Sequence, residues 1–382
     1  MVNNNEEKMK KLFIAAFMFV STFTSNVFAD GHAIKMGIIL GFTGPIESLT
    51  PAMRDSAKLA FSEASSSGSL LGGKKITVIE GDSTCVDSAA AQAAAEKLVA
   101  DGVVAIMGAD CSGVTGAIAS NVAVPNGVAM ISPSATSPGL TDLDDKGFFF
   151  RTAPSDARGG QILADITKDR KIKSVAITYT NNDYGKGLAD VYASAVKAHG
   201  IKVTTTAAHE DGKADYTAEV STLASAGGDA LVVIGYLDQG GKGIIQGSLD
   251  SGAFDTFILS DGMIGDSLTD AFGKNLNKSF GSLPGSTGKG AGVFAKVAKA
   301  GGIDSSGPYT GESYDAAALL VLAMQAGGSA DRASIAKNVM SVANGPGKKI
   351  YPGELKKALD LLANGKAVDY EGATGVSFTD VG

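Results

Sequence analysis

The sequence predicts an α/β protein of two doubly wound lobes, each a parallel sheet flanked by helices, joined by a multi-strand hinge. Three observations carry that expectation. From Ile34 onward, short apolar runs end in glycine-rich or polar turns and are followed by amphipathic segments of helical length. This is the alternation of βαβ units with right-handed crossovers. The series starts afresh near Val175, and 382 residues are more than one hydrophobic core holds, so two domains are expected.

Taken in order, the apolar runs at 34–40, 76–79, 103–107, 128–131 and 148–151 read as strands, with helical patterns at 51–66, 88–100 and 113–124 between them. Strands at 175–179, 203–206, 230–234 and 257–259 follow, separated by helices at 187–199, 216–226 and 240–251. The first crossing between lobes is Arg151-Thr-Ala-Pro-Ser. The Gly-, Ser- and Lys-rich stretch 281–292 reads as an exposed loop that marks the return. Helical patterns at 293–300, 314–326, 334–342 and 355–363 close the chain. The expected division is 30–152 with 283–373 as one lobe, and 153–282 with 374–382 as the other.

The N-terminus reads as a processing signal. Lys8, Lys10 and Lys11 precede the apolar run 12–20, and Val27-Phe28-Ala29 forms a small-residue cleavage site. Cleavage after Ala29 and export to the periplasm are expected, with Met9 an alternative start to Met1. The run is too short to span a bilayer, and no later stretch approaches the ~20 apolar residues that a membrane helix needs. Without residues 1–29 the net charge moves from −7 to about −8. That acidity argues against nucleic-acid or anionic-membrane partners, which need a basic patch.

Cys85 and Cys111 are the two cysteines. An even count in an exported chain favours a disulfide, and each cysteine follows an apolar run, so adjacent strand ends bring them together. A metal site is the weaker reading, because no Cys or His stands nearby at ligand spacing. Neither a metal nor a cofactor is expected.

Cys111 opens the stretch that bears most on function. Between 108 and 136, two apolar runs each end in turns crowded with small hydroxyl residues, with a helical segment opening at Ser112-Gly113. In an α/β sheet ligands bind outside the carboxyl ends of the strands. Ser112, Ser134 and Thr136 would there surround a small anion such as a carboxylate. The competing reading is that they cap the next helices, the commonest use of Ser and Thr.

Catalytic readings fail on chemistry. Gly68-Ser-Leu-Leu-Gly-Gly-Lys-Lys nearly matches a phosphate-binding loop, but Lys75 stands where Ser or Thr must ligate magnesium, and a strand follows instead of a helix. A second near-match, Gly285-Ser-Thr-Gly-Lys-Gly, follows no strand. Only His32, His199 and His209 are available as a base. His199 reads as a helix-end residue and His209 as part of a solvated loop, and no Gly-x-Ser-x-Gly elbow occurs.

The segments GIILGFTGPIES from Gly37, GDSTCVDSA from Gly81, ADCSGVTGA from Ala109 and ISPSATSPGLT from Ile131 carry a family resemblance. So do FRTAPSD from Phe150, TNNDYGKGLA from Thr180, GYLDQGG from Gly235 and ESYDAAA from Glu312. Over nearly all of the chain after residue 30 it resembles type I periplasmic binding proteins, in the branched-chain (Leu/Ile/Val) amino-acid branch of ABC-importer receptors.

The resemblance implies a non-catalytic monomer whose lobes close on an amino acid and hand it to a membrane permease. It implies that Ser112 and Thr136 meet the ligand's carboxylate, and that Ser134, Ala135 and Thr136 supply a carbonyl and a hydroxyl to its ammonium. Asp261 matches the acidic partner of that ammonium. Tyr184, Tyr236 and Tyr309 match an aromatic clamp, and Cys85–Cys111 matches the family disulfide. Leu49 stands where close relatives carry an aromatic residue in the side-chain pocket, and Asp261 is shorter than the Glu common at its position. Glu47 reads as a solvated acid. The family usually carries a further strand after the segment matching 376–382, so the expectation here is either a truncated chain or a missing edge strand.

Two other classes compete. A ligand-sensing module of the same fold would be fused to an effector or a membrane segment. A secreted α/β hydrolase would need a nucleophile–base pair.

Overall fold

The computed structural model describes residues 33–380 and 382; the expected signal peptide and His32 lie outside the described residues. The first sheet is built from β1 (Ile34–Leu40), β2 (Ile76–Asp82), β3 (Ala105–Gly108), β4 (Ala129–Ser132) and β5 (Phe149–Arg151). Its order is β2-β1-β3-β4-β5, all parallel. The helices α1 (Thr50–Ser66), α2 (Ser88–Ala100) and α3 (Ser112–Ile118) are its crossovers. Every residue of β3 and β4 is buried, as a parallel strand covered on both faces requires, and that is why these strands read as unbroken apolar runs.

After β5 the chain enters α4 (Asp156–Asp169) and a second series: β6 (Ser174–Thr180), α5 (Asp183–Ala198), β7 (Lys202–His209), α6 (Thr217–Ala226), β8 (Ala230–Ile234), α7 (Gly240–Ser251), β9 (Phe257–Leu259), α8 (Asp266–Phe272) and β10 (Phe280–Gly281). These strands pair in the order β7-β6-β8-β9-β10, again all parallel. The two sheets therefore share one doubly wound order, and in each the winding direction reverses beside the first strand. The crevice outside the carboxyl ends of the strands at such a reversal is where open α/β sheets bind ligands.

The chain then passes through 282–288 into α9 (Lys289–Ala300), α10 (Thr310–Ala326), α11 (Arg332–Ala343), β11 (Lys348–Ile350), α12 (Leu355–Ala363) and β12 (Val368–Tyr370). In α10 every residue from Glu312 to Gln325 is buried. It packs on α1, α11, β3 and β4 and so fills the core of the first sheet, where a helix apolar all round belongs. Asp315 on this helix is fully buried and accepts from the Tyr370 hydroxyl (2.8 Å), the Ala373 N–H (2.8 Å) and the Thr374 N–H (2.9 Å) and hydroxyl (2.8 Å). Burial nevertheless pushes its carboxyl up to about 6.

Residues 374–382 were assigned to the second lobe from the sequence, but the tail packs on the first. Phe378 is buried with its ring 5.5 Å from that of Phe150, and its backbone exchanges two hydrogen bonds with the Asn344 side chain (2.7 and 2.8 Å). The local reason is Asn344, which ends α11 with both amide groups turned toward this segment. His209 is a further difference. It ends β7 instead of lying in a loop, is 1% exposed, and sits 2.8 Å from the Thr178 hydroxyl through Nδ1. Burial lowers it to about 4, so it stays neutral at ordinary pH.

Candidate functional site

Asp110 organises the first sheet's end of the site. At the carboxyl end of β3 its Oδ2 accepts from the Gly41 N–H (2.5 Å), just after β1. Its Oδ1 accepts from the Ser83 hydroxyl, just after β2, and from the Cys111 N–H, both at 2.9 Å. One carboxylate at 2% exposure thus ties three strand ends together. Burial raises its pKa against those donors.

The Cys85–Cys111 bond is present, with Cα atoms 5.1 Å apart and the two cysteines 26 positions apart in sequence. It fixes the residue just before Ser112. In the chain-entropy picture a loop of this size stabilises the fold by about 3.5 kcal/mol. Reduction is therefore expected to lower the melting temperature by roughly 5–10 °C. Thermal unfolding followed with and without reductant measures this, and identical curves would contradict it.

Ser112 opens α3, and its Oγ accepts from the Ser137 N–H at 3.1 Å. The Ser134 Oγ donates to the Asp110 carbonyl at 3.1 Å. Of the three hydroxyls expected around an anion, Ser112 and Ser134 therefore stand at the ends of β3 and β4, held by backbone groups.

The second sheet supplies the opposing surface. The Asn182 side chain caps α5 by accepting from the Gly185 N–H at 3.0 Å. Gly185 is required there because a Cβ would strike the Thr180 carbonyl; its absence lets the helix start close against the end of β6. That start places Tyr184 in the first turn. The Tyr184 hydroxyl donates to Asp261 Oδ1 (2.7 Å), with Ser260 Oγ at 2.8 Å, and accepts from the Gly262 N–H (3.2 Å). The Tyr236 ring, beyond β8, stacks on that of Tyr184 with centroids 5.3 Å apart and planes 19° from parallel.

Tyr309 approaches from the other core. It precedes α10 in a left-handed conformation, φ +58°, a strained setting for a bulky residue that the surrounding packing must impose. Its hydroxyl donates to Asp261 Oδ2. Asp261 is thus gripped by two phenols, Tyr184 from the first turn of α5 and Tyr309 from just before α10. Burial raises its carboxyl, the two phenols and the Gly262 N–H working the other way. Burial, then the charge of Asp261, pushes Tyr184 and Tyr309 up well beyond the usual phenol range.

These groups enclose a cavity of about 30 Å³ lined by Leu49, Ser112, Ser134, Tyr184, Tyr236, Asp261 and Tyr309, and also by Ile46, Met53, Asp110, Cys111 and Gly262. Seven of the nine residues predicted as ligand contacts therefore converge on one space. Ala135 and Thr136 are buried but do not line it. The Ala135 carbonyl accepts from Arg151 Nη1 at 3.3 Å, and the Thr136 carbonyl from the Asp156 N–H at 2.9 Å. Reading the sequence missed Asp110, Ile46 and Met53. Asp110 stood inside the quoted ADCSG segment, but nothing in its spacing singled it out.

The cleft is shut by hydrogen bonds between the two sheets' loops. The Asp238 N–H donates to the Pro45 carbonyl (2.9 Å), the Ser48 N–H to Asp238 Oδ2 (2.9 Å), and the Ser137 Oγ to the Asp183 carbonyl (3.1 Å). Glu47 beside this seam is exposed. Among the described residues no group of three or more His, Cys, Asp or Glu side chains is placed to hold a metal ion.

A family model described as periplasmic binding protein matches residues 33–351. A "Leu/Ile/Val-binding protein homolog 1" of Brucella melitensis biotype 1 is 31% identical over 328 residues, covering 84% of this chain and 85% of that protein. A "Leu/Ile/Val-binding protein homolog 3" of the same organism is 31% identical over 234 residues, which span 61% of this chain and 62% of that protein. Among solved structures, a branched-chain amino acid transporter substrate-binding protein of Streptococcus pneumoniae, in complex with isoleucine, shares the fold. Its TM-score is 0.71 at 24% identity, over 82% of this chain and 89% of that one. The chain belongs to the periplasmic binding protein family, a family of extracytoplasmic solute receptors that bind without catalysis.

Proposed function

We propose that the chain captures an amino acid, aliphatic or branched-chain, between its two lobes and delivers it to the permease of an ABC importer. The observation that carries this reading is the opposition of Ser112 and Ser134 to Asp261 across one buried cavity. A zwitterion taken out of water is costly unless each charge is met by several hydrogen-bonding partners. Hydroxyls at one end and a carboxylate flanked by phenols at the other are complementary to it. Ile46, Leu49 and Met53 make the remaining wall apolar, which suits an aliphatic side chain. The relatives named above as Leu/Ile/Val-binding proteins, and the neighbour holding isoleucine, support the same class.

We assign 30–152 and 283–380 to one lobe and 153–282 to the other, with export by cleavage after Ala29 and action as a monomer. The cavity of about 30 Å³ is far below the ~300 Å³ or more of pockets that hold small-molecule ligands, so entry requires the lobes to part. That breaks the three hydrogen bonds of the seam, each worth about 0.5–1.5 kcal/mol net. The ligand then stabilises the closed form by its greater affinity for it.

Calorimetric titration with the twenty amino acids, on protein unfolded and refolded to strip bound ligand, tests the reading. Leucine, isoleucine and valine are expected among the tightest binders. Binding by none of the twenty would sink it.

A further inference from the structure

The loop 45–49 of the first lobe makes two sets of contacts at once. The side chains of Ile46 and Leu49 line the ligand cavity. The Pro45 carbonyl accepts from the Asp238 N–H, and the Ser48 N–H donates to Asp238 Oδ2, both at 2.9 Å. The loop is firmly mounted on its own lobe. The Thr43 hydroxyl donates to Asp82 Oδ2 (2.7 Å), the Leu49 N–H to the Ile46 carbonyl (2.9 Å), and the buried Thr50 hydroxyl to the Gly41 carbonyl (3.1 Å). Whatever holds the loop from the second lobe therefore also fixes two walls of the cavity.

Asp238 is equipped to do that holding. Its Oδ1 accepts from the Ser267 hydroxyl, in the first turn of α8, at 2.8 Å. That bond lies wholly within the second lobe, so it aims the carboxylate without help from closure, and Oδ2 and the N–H remain for the first lobe. An apolar seat adjoins it. Leu237 is fully buried, and a Cβ on Gly265 would come within 2.5 Å of Leu237 and 3.1 Å of Leu49. Leu49 thus reaches into a notch that glycine leaves open, and it packs against apolar clusters on both sides of the seam. Asp238 itself does not line the ligand cavity.

We propose that Asp238 is a positioning residue: a latch that holds the loop 45–49 over the bound ligand and slows its release without touching it. This role rests on the lobe-closure reading above and adds to it a residue outside the cavity. The ligand leaves only when the lobes part, and parting breaks the Asp238 bonds; on capture they form after the ligand has docked. The latch therefore acts on dissociation, where most affinity differences among variants of one site arise. Asp238 grips backbone groups of the loop, so its effect is the same whichever aliphatic side chain lies beneath Leu49. The segment Gly235-Tyr-Leu-Asp-Gln-Gly-Gly then serves twice, with Tyr236 at the cavity and Asp238 at the seam.

The test measures release of labelled L-leucine, L-isoleucine and L-valine, chased with unlabelled excess, or of the three tightest binders of the twenty amino acids if those are others. Asp238→Ala is expected to raise all three off-rates by one common factor of about 2- to 12-fold, the worth of one hydrogen bond, because the backbone bond to Pro45 survives. Association should stay within about twofold of wild type. Asp238→Asn should release at close to the wild-type rate, since its amide oxygen can accept from the Ser48 N–H while its NH₂ donates to the Ser267 hydroxyl. Ser267→Ala, which leaves the carboxylate unaimed, should speed release by a smaller factor and add nothing in the Asp238→Ala background. If Asp238→Ala does not fold, Ser267→Ala takes its place, and an unchanged off-rate there overturns the latch. So does an Asp238→Ala off-rate equal to wild type, an asparagine variant as fast as the alanine one, or a factor that differs severalfold among the three ligands. Each of these leaves the amino-acid reading standing, whereas binding by none of the twenty amino acids overturns both.

Discussion

Asp261→Ala is expected to weaken amino-acid binding by about 30-fold or more. The side chain is 7% exposed and receives hydrogen bonds from Tyr184 and Tyr309. With an ammonium beside it, removing it leaves a buried cation facing two phenols that now have no acceptor. Truncating one partner of a buried, hydrogen-bonded charge pair costs about 2–5 kcal/mol, or roughly 30- to 5,000-fold in Kd. Asp261→Asn keeps the acceptor oxygen and the shape but not the charge, so it should fall between. Calorimetry of the three proteins measures the series, and an alanine variant that binds as tightly as wild type would remove Asp261 from the site.

Asp110→Ala should cost the fold about 3–5 kcal/mol and weaken binding with it. Three donors from three strand ends (the Gly41 N–H, the Ser83 hydroxyl and the Cys111 N–H) converge on this carboxylate. Each buried donor left without a partner costs about 1–3 kcal/mol. Part of that is recovered if water enters the space left by the side chain. Because Cys111 leads directly into Ser112, slack at this point also loosens the end of the site proposed for the carboxylate. Urea unfolding gives the stability change, and a loss below about 1 kcal/mol would contradict the account of Asp110 as the tie between strands.

The alternating pattern made both sheets legible in the sequence, because parallel strands buried on both faces are continuous apolar runs such as 103–107 and 128–131. Helix starts were harder to read. The reading placed the helix before His199 from 187, yet α5 begins at Asp183. Gly185 and Gly187 weaken the helical signal, although Gly185 is there for close packing against Thr180. The strand 348–350 escaped notice because its residues are Lys-Lys-Ile and its apolar content is slight. His209 was misjudged because its neighbours Glu210 and Asp211 are charged, whereas burial is decided by β7 and the packing around it.

The site shows the same division. Ser112, Tyr184, Tyr236, Asp261 and Tyr309 stand in segments whose order matches a known family, so they could be named in advance. Asp110 could not be, since its importance comes from what folds around it, the ends of three strands. No spacing along the chain encodes those encounters.

The most direct test of the central claim is a crystal structure of the chain with its tightest-binding amino acid. The account predicts the ligand's carboxylate within hydrogen-bond distance of Ser112, its ammonium against Asp261, and its side chain on Leu49 and Met53. A ligand bound outside the cavity between the two sheets, or in it with its carboxylate turned toward Asp261, would contradict the account.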